Sequence, residues 1–447
     1  MTQHLLAHLA CLGTHTVTGL LQTCGGQFQD WSADYRLYER SRVLPEQLFE
    51  PVRQWLCDSQ AGPLVTAMDE TYLRKTGKKM PGAKYLRDPL GPPFRANLIW
   101  AQRFLQTSMA APGPDGQARM IPVDWVHAPL AQKPRPRAEA AQWDAYHAQR
   151  KSGRIGLIGA ARLRHLRAWL DEHGARQRPL WSAVDGSFTN GTVLKHLPPH
   201  TILIGRIRSD AKLYHLPQDQ PAQGRRRVYG TPAPTPEQLR QDPSVPWQSI
   251  EVFFGGQRRC LRVKQLRPLR WRTAGRQHDL QLIVIAPTPY RLSKHGKLLY
   301  RRPAYLICTD PDAALPQVVQ AFLWRWDIEV NFRDEKTLLG LGDAQVRTPE
   351  AVHNLTGTAV AAYALLLCAA SQCQHRQLPC DHLPAPKWRR TPSYRTTTQS
   401  LIQNLRYELW AQSIHFSGFK VRHTLAPKPQ KCNLNLESAL FYTSSFS

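Results

Sequence analysis

Negative charge is scarce in this 447-residue chain: 33 Asp and Glu stand against 59 Lys and Arg, for a net charge of +26. The excess is spread along the whole chain rather than gathered in a tail. It points to a polyanionic partner, nucleic acid first. A basic surface with no partner is the bland alternative. Long hydrophobic runs are also missing. No uninterrupted stretch of 18 apolar residues occurs, so no transmembrane helix and no membrane partner are expected. The segment from Met1 to Leu12 lacks a basic start ahead of its apolar residues and makes a poor signal peptide. The nine cysteines are odd in number and irregularly spaced, which suits reduced thiols in a cytoplasm. Cys368, Cys373, Cys380 and His382 contain no tight Cys-x-x-Cys pair, so zinc is not expected there. Gly153, Gly156 and Gly159 lack phosphate-loop spacing and no Lys-Ser/Thr follows them.

The length predicts two or three domains. Residues 1–60 read as a helical domain broken at Gly25-Gly26, and residues 61–209 as the first part of an α/β core. In that core Leu64 to Asp69, Arg95 to Gln102, Met120 to Trp125, Leu180 to Gly186 and Ile202 to Arg208 are candidate strands. Helices are expected over 138–173, interrupted near Gly153 to Gly159. Residues 210–312 change to short alternating runs rich in Arg and Pro, which predicts a β-rich insertion. Helices return over 315–340 and 350–373, making 313–375 the second part of the core. The region 376–447 is basic, with one helical segment near 399–412.

Two carboxylates end apolar strands, Asp69 and Asp185. An Asp in that place is commonly only a cap or turn former, but sites in open α/β sheets gather at strand carboxyl ends. A third carboxylate, Glu329, sits in a stretch without Pro or Gly between Gln317 and Leu339, read as one helix. At about 100° per residue, Arg325, Glu329, Phe332 and Lys336 fall within roughly 60° of one another. A simple i,i+4 pair of Arg325 with Glu329 is the plain reading, in the weaker orientation. Three carboxylates together form an oxygen-only set suited to Mg²⁺ or Mn²⁺. Two ions about 4 Å apart could drive an in-line phosphoryl displacement. No His-x-x-x-His or Ser-His-Asp set competes with these carboxylates as a catalytic centre.

Residues 324–336 resemble the signature of bacterial insertion-sequence DDE transposases with a Tyr-Arg-Glu-Lys pattern. Arg325, Glu329 and Lys336 hold the expected spacing, while Phe322 stands where the Tyr belongs. Met68-Asp69-Glu70-Thr71 with Lys75-Thr76-Gly77, Val184 to Asn190, Gly205 to Ala211 and Trp31 to Arg40 resemble further regions of that family, so the likeness spans roughly residues 15–375. The resemblance implies an RNase H-like catalytic core with the insertion ahead of the Glu-bearing helix, and a DNA-binding N-terminal helical domain. It implies Asp69, Asp185 and Glu329 as catalytic metal ligands for two Mg²⁺ or Mn²⁺ ions. Arg325, Lys336 and Arg206 are then expected to contact DNA. Lys75, Lys78 and Lys79, with Arg74, are read as backbone contacts, as is the run Arg225 to Arg227, against the plain reading of solvated loops. Trp324 and Trp326 are expected either to stack on bases or, more commonly for helix tryptophans, to fill core. Expected partners are double-stranded DNA with terminal inverted repeats, target DNA and a second copy of the chain, in a bacterial cytoplasm near the nucleoid. The alternatives are a catalytically silent DNA-binding descendant and a structure-selective nuclease.

Overall fold

The computed structural model describes residues 1–447 except 89–90, 93, 96, 115, 220–223, 294, 377–395 and 411–447. Most of the expected basic C-terminal region therefore lies outside the described residues, as do Cys380 and His382.

The chain opens with helices α1 (Thr2–Ala10), α2 (Val17–Cys24), α3 (Ser32–Glu39) and α4 (Pro45–Asp58). Thr16 caps α2 by accepting from the Gly19 N–H, and Gly25 ends it in the left-handed conformation. Strands β1 (Leu64–Arg74), β2 (Lys84–Arg87), β3 (Leu98–Pro112) and β4 (Ala118–His127) follow, then helices α5 (Ala140–Ser152) and α6 (Ile155–Glu172). Next come β5 (Leu180–Val184), α7 (Gly191–Lys195) and β6 (Thr201–Arg206). The stretch read as an insertion carries β7 (Leu213–His215), α8 (Pro236–Gln241), β8 (Gln248–Phe254), β9 (Gln257–Trp271), β10 (Gly275–Ile285), β11 (Pro289–Tyr290), β12 (Leu299–Tyr300) and β13 (Ala304–Cys308). Helices α9 (Leu315–Trp324), α10 (Asp327–Thr337), α11 (Pro349–His375) and α12 (Thr398–Trp410) complete the described chain.

One mixed sheet organises the α/β fold, in the order β2-β3-β1-β5-β6-β13-β10-β9-β7, with β4 on β3 and β8 on β9. β1, β5 and β6 run parallel, while β3 and β4 form an antiparallel meander beside β1. The insertion is not a separate layer. Its last strand, β13, pairs antiparallel with β6 and carries the sheet onward through β10 and β9.

Residues of β1 feed two cores. Val65 and Ala67 join the cluster packed by α4, α9 and α11, and Met68 joins the one containing Leu163 of α6 and Phe188. Each fully buried Leu, Val or Phe in these clusters contributes about 1.5–3 kcal/mol. Helix α11 is long and apolar enough to cross a membrane by composition, although no single run in it is unbroken. In the fold 83% of its most apolar window is buried inside the protein. It is a core helix, with Thr356 accepting the Trp125 indole N–H at 3.0 Å. The buried Arg53 on α4 ties the N-terminal helices to this core, donating to the Val123 carbonyl at 2.8 Å and pairing with Glu46 at 2.7 Å.

Candidate active site

Asp69 does not end its strand. β1 continues to Arg74 because β3 pairs with it from Thr66 to Arg74, whereas β5 stops pairing at Met68. Burial follows the neighbours: Leu64 to Met68 are all buried between two strands, and beyond Asp69 burial alternates. Met68 is in register with Val184, and Val184 with Gly205. The next residues, Asp69, Asp185 and Arg206, therefore fall in one row where the parallel pairing of β1, β5 and β6 stops, spaced by roughly 4.8 Å per strand.

The turn after β5 holds Asp185 in place. Its carboxylate accepts the Ser187 backbone N–H at 2.9 Å and the Ser187 hydroxyl at 3.1 Å. Thr189 donates to the Asp185 carbonyl at 2.7 Å. A Cβ on Gly205 would come within 2.1 Å of the Thr189 oxygen, so glycine is needed on β6 for this turn to pack.

Glu329 reaches the same place by an unexpected route. The stretch 317–339 is not one helix. It breaks at Arg325-Trp326, where the N–H groups of Trp326, Ile328 and Glu329 bond three residues back, to Leu323, Arg325 and Trp326. Glu329 thereby lies in the first turn of α10, where the helix dipole favours a carboxylate. Asp327, in the same turn, accepts the Met120 N–H at 2.9 Å and ties α10 to β4.

Asp69, Asp185, Glu329 and Arg325 line one cleft of about 1120 Å³. Arg325 bridges two of the carboxylates, at 3.3 Å from Asp69 and 3.4 Å from Glu329. Its guanidinium also lies 5.7 Å from the ring centre of Phe322, a cation–π contact that needs no hydroxyl. Burial pushes the Asp69 carboxyl up to about 7, and the Asp185 charge pushes the same way. Arg325 and the Glu70 N–H oppose them. Glu329 is likewise raised, by burial first and by the Asp185 charge, against Arg325. The three carboxylates thus feel one another.

The expected DNA contacts divide. Arg206 is exposed and lines the cleft, and Trp326 lines it with 62% of its surface exposed. Trp324 also lines it, but its indole N–H donates to the Gly116 carbonyl at 3.1 Å and its ring packs on the core. Lys78 and Lys79 are exposed in the turn after β1, away from the cleft lining. Lys75 departs from the expectation. It is buried, with its ammonium donating to the Gly342 and Ala344 carbonyls at 2.7 and 2.8 Å, because β1 carries it under the loop after α10. Lys336 departs too. It is exposed and lies 5.9 Å from the Phe332 ring centre, outside the cleft lining. It shares α10 with Glu329 but sits about 10 Å further along the helix axis.

The insertion supplies a wall that sequence reasoning missed. Phe253, Phe254, Tyr290, Tyr300 and Arg301 line the cleft, with the Arg301 guanidinium 5.1 Å from the Phe254 ring and 5.5 Å from Tyr290. The signal was present: Gly255-Gly256, both at positive φ, make the tight β8–β9 turn that presents two phenylalanines. His4 and His8 do stand at His-x-x-x-His spacing on α1, but the pair is structural. His4 bonds Tyr38 and Asp34, and burial pushes His8 down to about 3.

The donor set fits a hard divalent cation. It is all carboxylate oxygen, and the mutual repulsion of Asp69 and Asp185 is what such an ion relieves. Among the described residues no three such side chains yet enclose an ion-sized space, and Arg325 is the group standing between Asp69 and Glu329.

No curated protein matches the chain. Residues 1–278 match the family described as DDE superfamily endonuclease. Asp69 and Asp185 lie inside that segment, and Glu329 lies beyond it. With more than half its length matched, the chain belongs to the DDE superfamily endonucleases.

Proposed function

We propose that this endonuclease is a transposase that cleaves DNA at the ends of an insertion sequence and joins the freed 3′-hydroxyl to target DNA. The observation that carries the reading is the adjacency of Asp69 and Asp185 just past the last paired residues of the parallel strands β1 and β5, with Glu329 facing them across Arg325. The order β4-β3-β1-β5-β6, a meander followed by parallel strands, supports an RNase H-like core.

DDE-type endonucleases generally use divalent metals. Asp69, Asp185 and Glu329 would hold the ions, Mg²⁺ or Mn²⁺ and two in number. Bound there, the metal supplies an activated water or 3′-hydroxyl and charge stabilisation for the leaving oxygen. The protein's own groups bind and orient. Arg325, in its carboxylate bridge, and Arg206, at the end of β6, offer charge to the phosphates flanking the scissile bond. Trp326 offers a stacking face for a base pulled out of the duplex. The aromatic residues of the insertion add an apolar lining to the same cleft. The N-terminal helices are proposed to read the inverted repeats, and a second copy to hold the other DNA end, with the protein acting in the bacterial cytoplasm near the nucleoid.

The test is cleavage of a plasmid carrying the DNA that flanks the gene, by purified protein with Mg²⁺, beside Asp185→Asn. Nicks at the element ends and products joined through the 3′-hydroxyl are expected from the wild type alone. Binding without any cleavage would identify a silent DNA-binding descendant, and cleavage without joining a nuclease. Equal cleavage by Asp185→Asn would overturn the site.

A further inference from the structure

A second cleft, of about 1390 Å³, lies on the other side of the Asp185 turn. Most of its lining comes from the α5–α6 junction, the turn from Ser187 into α7, and the β9–β10 hairpin of the insertion, with Arg103 of β3, Leu130 and Val228 beside them. Ser187 belongs to both neighbourhoods, since it lines this cleft and bonds the Asp185 carboxylate.

The lining is cationic. It holds Arg103, Arg150, Arg154, Lys195, Arg270 and Arg272, and no Asp or Glu among the described residues. Two of the six are engaged in the fold. Arg270 pairs with Asp279 at 2.8 Å. Arg103 is buried and donates to the Ala128 and Gly153 carbonyls at 2.8 Å each, which fixes the turn that projects Arg150 and Arg154. Arg150, Arg154, Lys195 and Arg272 are exposed and form no ion pair among the described residues. Four uncompensated cations around one concavity repel one another, an arrangement that a polyanion relieves.

The rest of the lining identifies the polyanion. No aromatic ring lines this cleft among the described residues, whereas rings crowd the carboxylate cleft. A base or nucleoside would find nothing to stack on. Instead Gly153, Gly156, Gly191, Thr192 and Thr273 form small, polar walls that let a backbone approach. The run Arg225 to Arg227 leads up to Val228, which also lines the cleft.

We propose that this cleft is a second nucleic-acid site, which holds the sugar–phosphate backbone of DNA running on past Asp185 from the carboxylate cleft, without regard to sequence. Its placement relative to the cut bond rests on the function proposed above; its affinity for DNA does not.

The experiment is binding of a duplex of arbitrary sequence by the full chain in metal-free buffer, where no cleavage occurs, across a salt series. Arg150→Ala/Arg154→Ala/Lys195→Ala/Arg272→Ala is compared with Arg164→Ala/Arg176→Ala, exposed arginines outside the cleft lining. Each duplex phosphate neutralised contributes about 0.9 to the slope of log affinity against log salt, so the fourfold variant is expected to lose about 3 to 4 from that slope. The control pair is expected to leave the slope nearly unchanged. Lys195→Glu alone is expected to weaken binding measurably and serves if the fourfold variant does not fold. An unchanged slope, or an equal loss in both variants, overturns the proposal. So does displacement of the duplex by tripolyphosphate at matched phosphate concentration, which would mark a small-anion site. If Asp185→Asn abolishes cleavage while the fourfold slope stays at the wild-type value, this inference alone fails. If Asp185→Asn cleaves normally while the slope falls, the catalytic reading alone fails.

Discussion

Replacing Asp69 with Asn should make the metal-free protein more stable, in a way that depends on pH. The carboxyl is pushed from 3.8 up to about 7, by burial first and the Asp185 charge second. Its side chain is only 17% exposed, so solvent screens little of this. An acid whose folded-state pKa lies above its unfolded value costs stability as pH rises. The penalty is absent below about pH 4, grows between the two pKa values and levels off above about pH 7. At about 1.4 kcal/mol per unit, the full penalty at pH 8 is about 4 kcal/mol, and at pH 5 it is about 1–2 kcal/mol. Asn keeps the shape without the charge, at the expense of the 3.3 Å contact with Arg325. A net gain of about 2–4 kcal/mol at pH 8, falling to about 1 kcal/mol at pH 5, is therefore expected. Denaturant unfolding at both pH values in chelator reads it. Added Mg²⁺ should stabilise the wild type and close the gap. A variant less stable than the wild type at pH 8, or a difference that ignores pH, would refute the reasoning.

Other outcomes follow from single side chains. Lys75→Met leaves the Gly342 and Ala344 carbonyls without their donor; it should cost about 1–3 kcal/mol of stability in thermal melts. Its salt dependence of DNA binding should stay at the wild-type value; a shallower slope would return Lys75 to the DNA. Trp326→Ala should weaken binding of DNA with an unpaired base by about 1–3 kcal/mol, or roughly 5- to 150-fold. Intact duplex should be less affected, and equal losses on both would argue against stacking. Gly205→Ala forces a methyl group toward Thr189; about 1–3 kcal/mol of destabilisation is expected. Cleavage should fall with it through the displaced Asp185 turn, and a variant as stable and active as the wild type would show that the turn is not tightly packed.

Much of the frame was legible because hydrophobic patterning reports burial. Ala304 to Cys308, Leu180 to Val184 and the long helix over 349–375 emerged close to where their apolar runs predict. The misses share a physical cause, which is that tertiary neighbours set what local pattern cannot. Asp69 looked like a strand end because alternation replaces continuous burial there, but β3 keeps the strand going for five more residues, to Arg74. The break at Arg325-Trp326 carries no Pro or Gly. The anchors beside it lie far away in sequence: Gly116 for Trp324, Met120 for Asp327. Lys75 reads as one of a basic loop, and only the returning chain at Gly342 and Ala344 turns it inward. The second cleft draws its four exposed cations, Arg150, Arg154, Lys195 and Arg272, from three distant segments, so no single motif could announce it.

The central claim is that Asp69, Asp185 and Glu329 act as one centre on a phosphodiester bond. The most direct measurement is single-turnover cleavage of a flanking-DNA substrate by Asp69→Asn, Asp185→Asn, Glu329→Gln and the triple variant, with DNA binding measured alongside. Groups that act as a unit are strongly non-additive. Each single variant is therefore predicted to lose nearly as much rate as the triple while still binding DNA. A single variant that cleaves at the wild-type rate, or three losses that multiply independently to give the triple, would contradict the account.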